Sequence, residues 1–159
     1  MATVSALFLA AVLWVAGVAK LVDRKRTVDG FGDLGLPAPQ LLGWIVPVLE
    51  LAVGALLIAS PGWGGVAAFG MLASFTVVLV VTIRSGRLVP CRCFGGTSDD
   101  PVTWGQVARN GWLLCHAVIA SLGSTLQRPS LVEIVVAAAT IAVGPIAISW
   151  VEKRFTVTV

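Results

Sequence analysis

Five apolar stretches constrain this chain more than any other feature. They cover residues 4–22, 41–59, 64–83, 107–126 and 131–151. At 1.5 Å of rise per residue, about 20 apolar residues in a helix cross the ~30 Å hydrocarbon core of a bilayer. Lipid offers the backbone no hydrogen-bond partners, so spanning segments must be helices or a closed barrel. No alternating strand pattern appears apart from the short 155–159 tail. Only 12% of the residues are charged and the mean hydropathy is +0.95, against about 25% charge in a typical soluble domain. The expected fold is therefore all-α: a polytopic membrane helix bundle of five transmembrane helices. It forms one integral membrane domain over residues 1–159, with no room for a soluble one. The net charge of +3 needs no nucleic-acid partner.

The connections refine this picture. Asp23-Arg24-Lys25-Arg26 ends the first stretch. Phe31, Leu34 and Leu36 are then spaced like an amphipathic turn lying on the membrane surface, closed by Pro37 and Pro39. Pro47 is expected to kink the second span. Ser60-Pro61-Gly62 makes spans two and three a hairpin. Gly64, Gly65, Ala67, Ala68 and Gly70 let neighbouring helices approach closely. Gly17-Val18-Ala19 resembles a signal cleavage site, but no basic region precedes it and Lys20 follows directly, so the first span is expected to be retained. The fourth stretch is the least apolar, because Arg109, Asn110 and His116 lie in it.

Five spans put the N-terminus and the turns near 60–63 and 127–130 on one face. The other face receives the 20–40 connection, the 84–106 loop and the C-terminus. Lys20, Arg24, Lys25, Arg26, Arg84, Arg87, Arg92, Arg109, Lys153 and Arg154 fall on this second face, and only Arg128 on the first. The positive-inside rule makes the basic face cytoplasmic. The expected location is a cell (inner or plasma) membrane, with the N-terminus outside and the C-terminus inside.

The longest polar break, 84–104, carries Cys91 and Cys93. Residues i and i+2 lie within disulfide range in a turning backbone, and the tiny ring is strained and easily reduced. Such a bond closes almost no loop, so it does little to stabilise a fold. Gly95 and Gly96 permit a sharp turn, and Arg87 and Arg92 favour thiolate over thiol. A redox pair is the leading reading, and soft-metal binding or two incidental small residues are the alternatives. Cys115 is either an apolar filler or a third thiol that relays electrons or completes a metal site. Glu50 and His116 are each expected about 13 Å deep. Ionisable groups there face a bundle interior, as a proton relay, a quinone-site ligand or a polar clamp between helices. Arg109 either snorkels to headgroups or stabilises a thiolate, and Asn110 can hydrogen-bond to the dithiol loop. Lys20 reads as a snorkelling anchor. Trp63, Trp104 and Trp150 suit an aromatic belt at the interface.

Cys91-Arg92-Cys93-Phe94-Gly95, followed by Trp104 and Arg109-Asn110, resembles the methylamine-utilisation MauE family. Gly17-x-x-Lys20, Phe31-x-x-Leu34-Gly35-Leu36-Pro37 and Glu50 are similar to the broader DoxX-like membrane proteins. The resemblance covers about residues 5–125 and implies a four-helix core, with 131–151 as an additional C-terminal span. It further implies a redox-associated membrane protein in which Cys91 and Cys93 are the working pair. The partner implied is a thioredoxin-like protein, and the role is maturation of disulfide-containing proteins. Whether the chain is itself a thiol–disulfide oxidoreductase or only an electron-transfer subunit stays open. The alternatives are a Cu(I)-binding membrane protein and a non-catalytic assembly factor. No cofactor is firmly implied, and a quinone is one candidate. The customers of such a system work outside, whereas the charge count puts the dithiol inside. A carrier of reducing equivalents across the membrane reconciles the two.

Overall fold

The computed structural model describes residues 1–86, 89, 102–125, 130–132, 134–136 and 138–139. Its five helices are α1 (Ala2–Val22), α2 (Arg24–Asp33), α3 (Pro39–Ala59), α4 (Pro61–Arg84) and α5 (Trp104–Ser121). No strand occurs among the described residues.

Three of these helices are long and apolar enough to cross a membrane. They are α1, α3 and α4, with mean hydropathies of 2.2, 2.3 and 2.4. The expectation of five spans is thus met for three. Helix α5, over the fourth expected span, has 18 residues but is diluted by Gln106, Arg109, Asn110 and His116, and it is not among the three. It also ends at Ser121, where a span to 126 was expected. Residues 131–132, 134–136 and 138–139 of the fifth stretch are helical. The rest of that stretch lies outside the described residues.

The four long helices form a closed ring in which α1 meets α3, α3 meets α4, α4 meets α5, and α5 returns to α1. Ala6, Leu9, Leu13, Leu57, Leu72 and Leu113 share its buried core. Lipid tails are as apolar as leucine, so close packing must hold such helices together, and glycines supply it. A Cβ on Gly64 would lie 2.5 Å from the Leu57 Cα, and one on Gly65 would lie 2.4 Å from the Ser121 backbone nitrogen. The two adjacent glycines thus press α4 against α3 on one side and α5 on the other. On α3, Gly54 leaves space for Trp14, whose indole N–H donates to the Leu51 carbonyl at 3.1 Å. Pro47 lies inside α3 without interrupting it.

The connection after α1 is a true helix, α2, rather than the expected single turn. Asp23 caps it by accepting from the Arg26 backbone N–H at 3.2 Å, a short polar side chain at the position where it best satisfies an orphan donor. The Thr27 hydroxyl lies 3.2 Å from the Lys20 carbonyl, which folds α2 back over the end of α1. Arg24 stacks on Trp44 of α3 at 4.3 Å from the ring centroid. Phe31, at the far end of α2, is buried in the bundle.

Candidate functional site

A charge inside an apolar bundle needs a counter-charge and hydrogen bonds. Glu50 is buried on α3, one turn before Gly54, and Lys20 of α1 reaches it. The Lys20 Nζ donates to Oε1 at 2.6 Å and to Oε2 at 2.9 Å. Both side chains are almost fully enclosed, at 4% and 3% exposure. Lys20 is therefore not the snorkelling anchor expected from its place near a helix end. Gly17, one turn earlier, explains the difference: a Cβ there would lie 3.0 Å from the Pro47 carbonyl oxygen. That close approach of α1 and α3 brings the lysine ammonium within reach of the carboxylate.

Helix α5 brings two more polar groups to the same region. Thr103 and Gln106 form a capping box, with the Thr103 backbone N–H donating to Gln106 Oε1 at 2.6 Å. This fixes the start of α5 directly after the polar break. Arg109 and Asn110 follow, and both line the cleft that Lys20 and Glu50 also line. Asn110 is 4% exposed. The cleft has about 710 Å³ of empty space, counting its mouth, and Leu13, Leu72, Phe75, Leu79 and Leu113 supply much of its apolar wall. Phe31 and Leu34 close one part of it.

Cys91 and Cys93 lie outside the described residues. The base of their loop does not: the Val102 backbone N–H donates to the Val89 carbonyl at 2.9 Å, and Val89 is buried. The two strands of chain that lead into and out of the dithiol segment are thereby held together, two residues before Cys91 and two before the start of α5.

The structure does not bring Glu50 and His116 together. His116 Nδ1 lies 3.1 Å from the Ser5 hydroxyl oxygen and packs against Trp112 at 4.9 Å and Phe8 at 5.1 Å between ring centroids. Ser5 and Lys20 are 15 positions apart on α1, or about 22 Å along its axis. The equal depths expected for Glu50 and His116 counted nine residues in from residues 41 and 107, which sets a depth but not the neighbour that each side chain meets. Because α5 stops at Ser121, His116 sits near the end of the bundle that carries the N-terminus. Cys115 is an exposed free thiol and is not among the residues lining the cleft.

Lys20, Ser5 and Trp112 are the site residues that sequence reasoning assigned no such role. A signal existed for Lys20, since a mid-span carboxylate demands a base on a neighbouring helix. Chemically, the cleft gathers hydrogen-bond donors from Lys20, Arg109 and Asn110 beside one carboxylate, at the edge of an apolar chamber. Among the described residues no group of three metal-ligating side chains occurs.

The comparisons with known proteins agree with one another. The family model described as methylamine utilisation protein MauE matches residues 1–123. The methylamine utilization protein MauE of Paracoccus denitrificans is 30% identical over 130 residues, covering 78% of this chain and 70% of that protein. Its counterpart from Paracoccus versutus is 30% identical over 128 residues, covering 77% and 69% respectively. No solved structure matches the chain.

Proposed function

The chain belongs to the MauE family, and on that premise we propose that it is a membrane thiol–disulfide redox protein. Cys91 and Cys93 exchange with a thioredoxin-like partner and so support the maturation of disulfide-containing proteins. The name of the family ties it to methylamine utilisation. Dithiol exchange is the step within that setting that these residues are equipped to perform.

The observation that carries the reading is the tie between Val89 and Val102. It joins Val89 to Val102, the nearest described residues on either side of the Cys-x-Cys segment, two residues before α5 starts and seven before Arg109. A guanidinium there favours thiolate, and Asn110 supplies a neutral hydrogen-bonding group. In the exchange, one thiolate attacks a partner disulfide to give a mixed disulfide. The second cysteine then displaces the partner thiolate, so that the pair here is oxidised and the partner reduced, or the reverse. A five-span arrangement would gather ten of the eleven Lys and Arg residues on the face of this loop, which supports a cytoplasmic side for the chemistry.

Trapping tests the reading. Cys91→Ser and Cys93→Ser each remove one member of the pair. The variant that keeps the attacking thiol accumulates a mixed disulfide with a thioredoxin-like protein, visible on a non-reducing gel and abolished in the double variant. Absence of any cysteine-dependent adduct from both single variants, under oxidising and reducing conditions alike, overturns it.

A further inference from the structure

We propose that the cleft between α1, α3, α4 and α5 is a binding site for an isoprenoid quinone, with Asn110 anchoring its carbonyl head. The site is built from described residues alone. Its role as electron acceptor for the dithiol rests on the function proposed above.

Asn110 carries the inference. It is 96% buried and lines the cleft, and among the described residues no hydrogen bond to its side-chain amide occurs. An amide enclosed in an apolar bundle is stabilised by a hydrogen-bond partner. A carbonyl oxygen delivered by a ligand satisfies its NH2 group. The neighbouring polar groups fit the same head. The Lys20 ammonium is neutralised by Glu50 across 2.6 Å, so the pair offers dipoles and a proton-exchanging carboxylate rather than a bare positive charge. Phe31 and Phe75 give the cleft flat aromatic surfaces, and Leu9, Leu13, Leu72 and Leu79 give it an apolar interior for the first isoprenoid units.

The reaction balances without a further reactant. Oxidation of the Cys91 and Cys93 thiols forms one S–S bond and releases two electrons and two protons. The quinone takes up both electrons and both protons and leaves as quinol. Glu50, held beside the head by Lys20, is placed to pass one of those protons.

The test uses the full chain purified in detergent and a short-chain ubiquinone analogue, with binding followed by quenching of tryptophan fluorescence. Saturable binding is expected in the wild type and in the Cys91→Ser/Cys93→Ser double variant. Asn110→Leu, which removes the amide at similar size, is expected to weaken it at least tenfold. Leu13→Trp, which fills the cleft, is expected to abolish it, with circular dichroism checking that both variants fold. No saturable binding by the wild type, equal binding by both cleft variants, or displacement of the quinone by oleate at lower concentration than by a second quinone overturns the proposal. Mixed-disulfide trapping without quinone binding defeats this inference alone. Quinone binding with a dithiol that no oxidant or thiol can engage defeats the redox reading and leaves the cleft assignment standing.

Discussion

Replacing Glu50 with leucine leaves the Lys20 ammonium buried at the wall of the cleft without its carboxylate. The wild-type pair makes two contacts, at 2.6 and 2.9 Å, with both side chains enclosed. Removing one partner of a buried ion pair costs about 3–5 kcal/mol, and a lone charge on a membrane helix costs about 2.5–3.5 kcal/mol on insertion scales. The two estimates agree near 3 kcal/mol, or about two orders of magnitude in the ratio of folded to unfolded protein. Lys20→Met is expected to cost a similar amount. The double variant Lys20→Met/Glu50→Leu removes both charges and fills their space with apolar atoms, so it is expected to return to within about 1 kcal/mol of wild type. Reversible unfolding in mixed micelles of mild detergent and SDS, followed by tryptophan fluorescence, measures all four proteins. A double variant whose loss equals the sum of the two single losses refutes the buried pair, because independent sites add and coupled ones do not.

Two further outcomes are expected. Gly65→Val drives a side chain into the Ser121 backbone, which a Cβ already meets at 2.4 Å. It should destabilise the same unfolding transition by about 1–3 kcal/mol, while Gly70→Ala, with nothing within 4 Å of its Cβ, leaves it unchanged or slightly raised. In a Cys115→Ser background, a membrane-impermeant maleimide applied to intact cells should leave Cys91 and Cys93 unlabelled until the cells are opened; labelling from outside reverses the assigned orientation.

The parts of this fold governed by hydropathy were legible in the sequence. Helices α1, α3 and α4 begin and end within three residues of the apolar stretches that announced them, and the small residues at 64 and 65 pack as their size requires. Helix α2 was less legible. Its charged first turn hides a helix whose cap, Asp23, and whose single deeply buried aromatic, Phe31, matter only once α3 is there to receive them. The end of α5 was misplaced because an apolar run says where lipid is tolerated, not where a helix stops. His116 and Glu50 part because they meet α1 at different levels, at Ser5 and at Lys20. Lys20 was misread for a related reason: a lysine near a helix end looks the same in sequence whether it snorkels outward or turns in. Only the close approach at Gly17 decides it. Asn110 was legible as a candidate from its place after the Cys-x-Cys motif, but its burial in the cleft is a tertiary fact.

The central claim is that Cys91 and Cys93 act as one two-electron couple. Equilibrating the purified Cys115→Ser protein in dithiothreitol buffers of graded potential, then alkylating and weighing it, tests this directly. The account predicts that both thiols disappear together in a single transition, with a slope of about 30 mV per tenfold change in ratio. Two cysteines that stay alkylatable at every potential, or that are lost one at a time, contradict it.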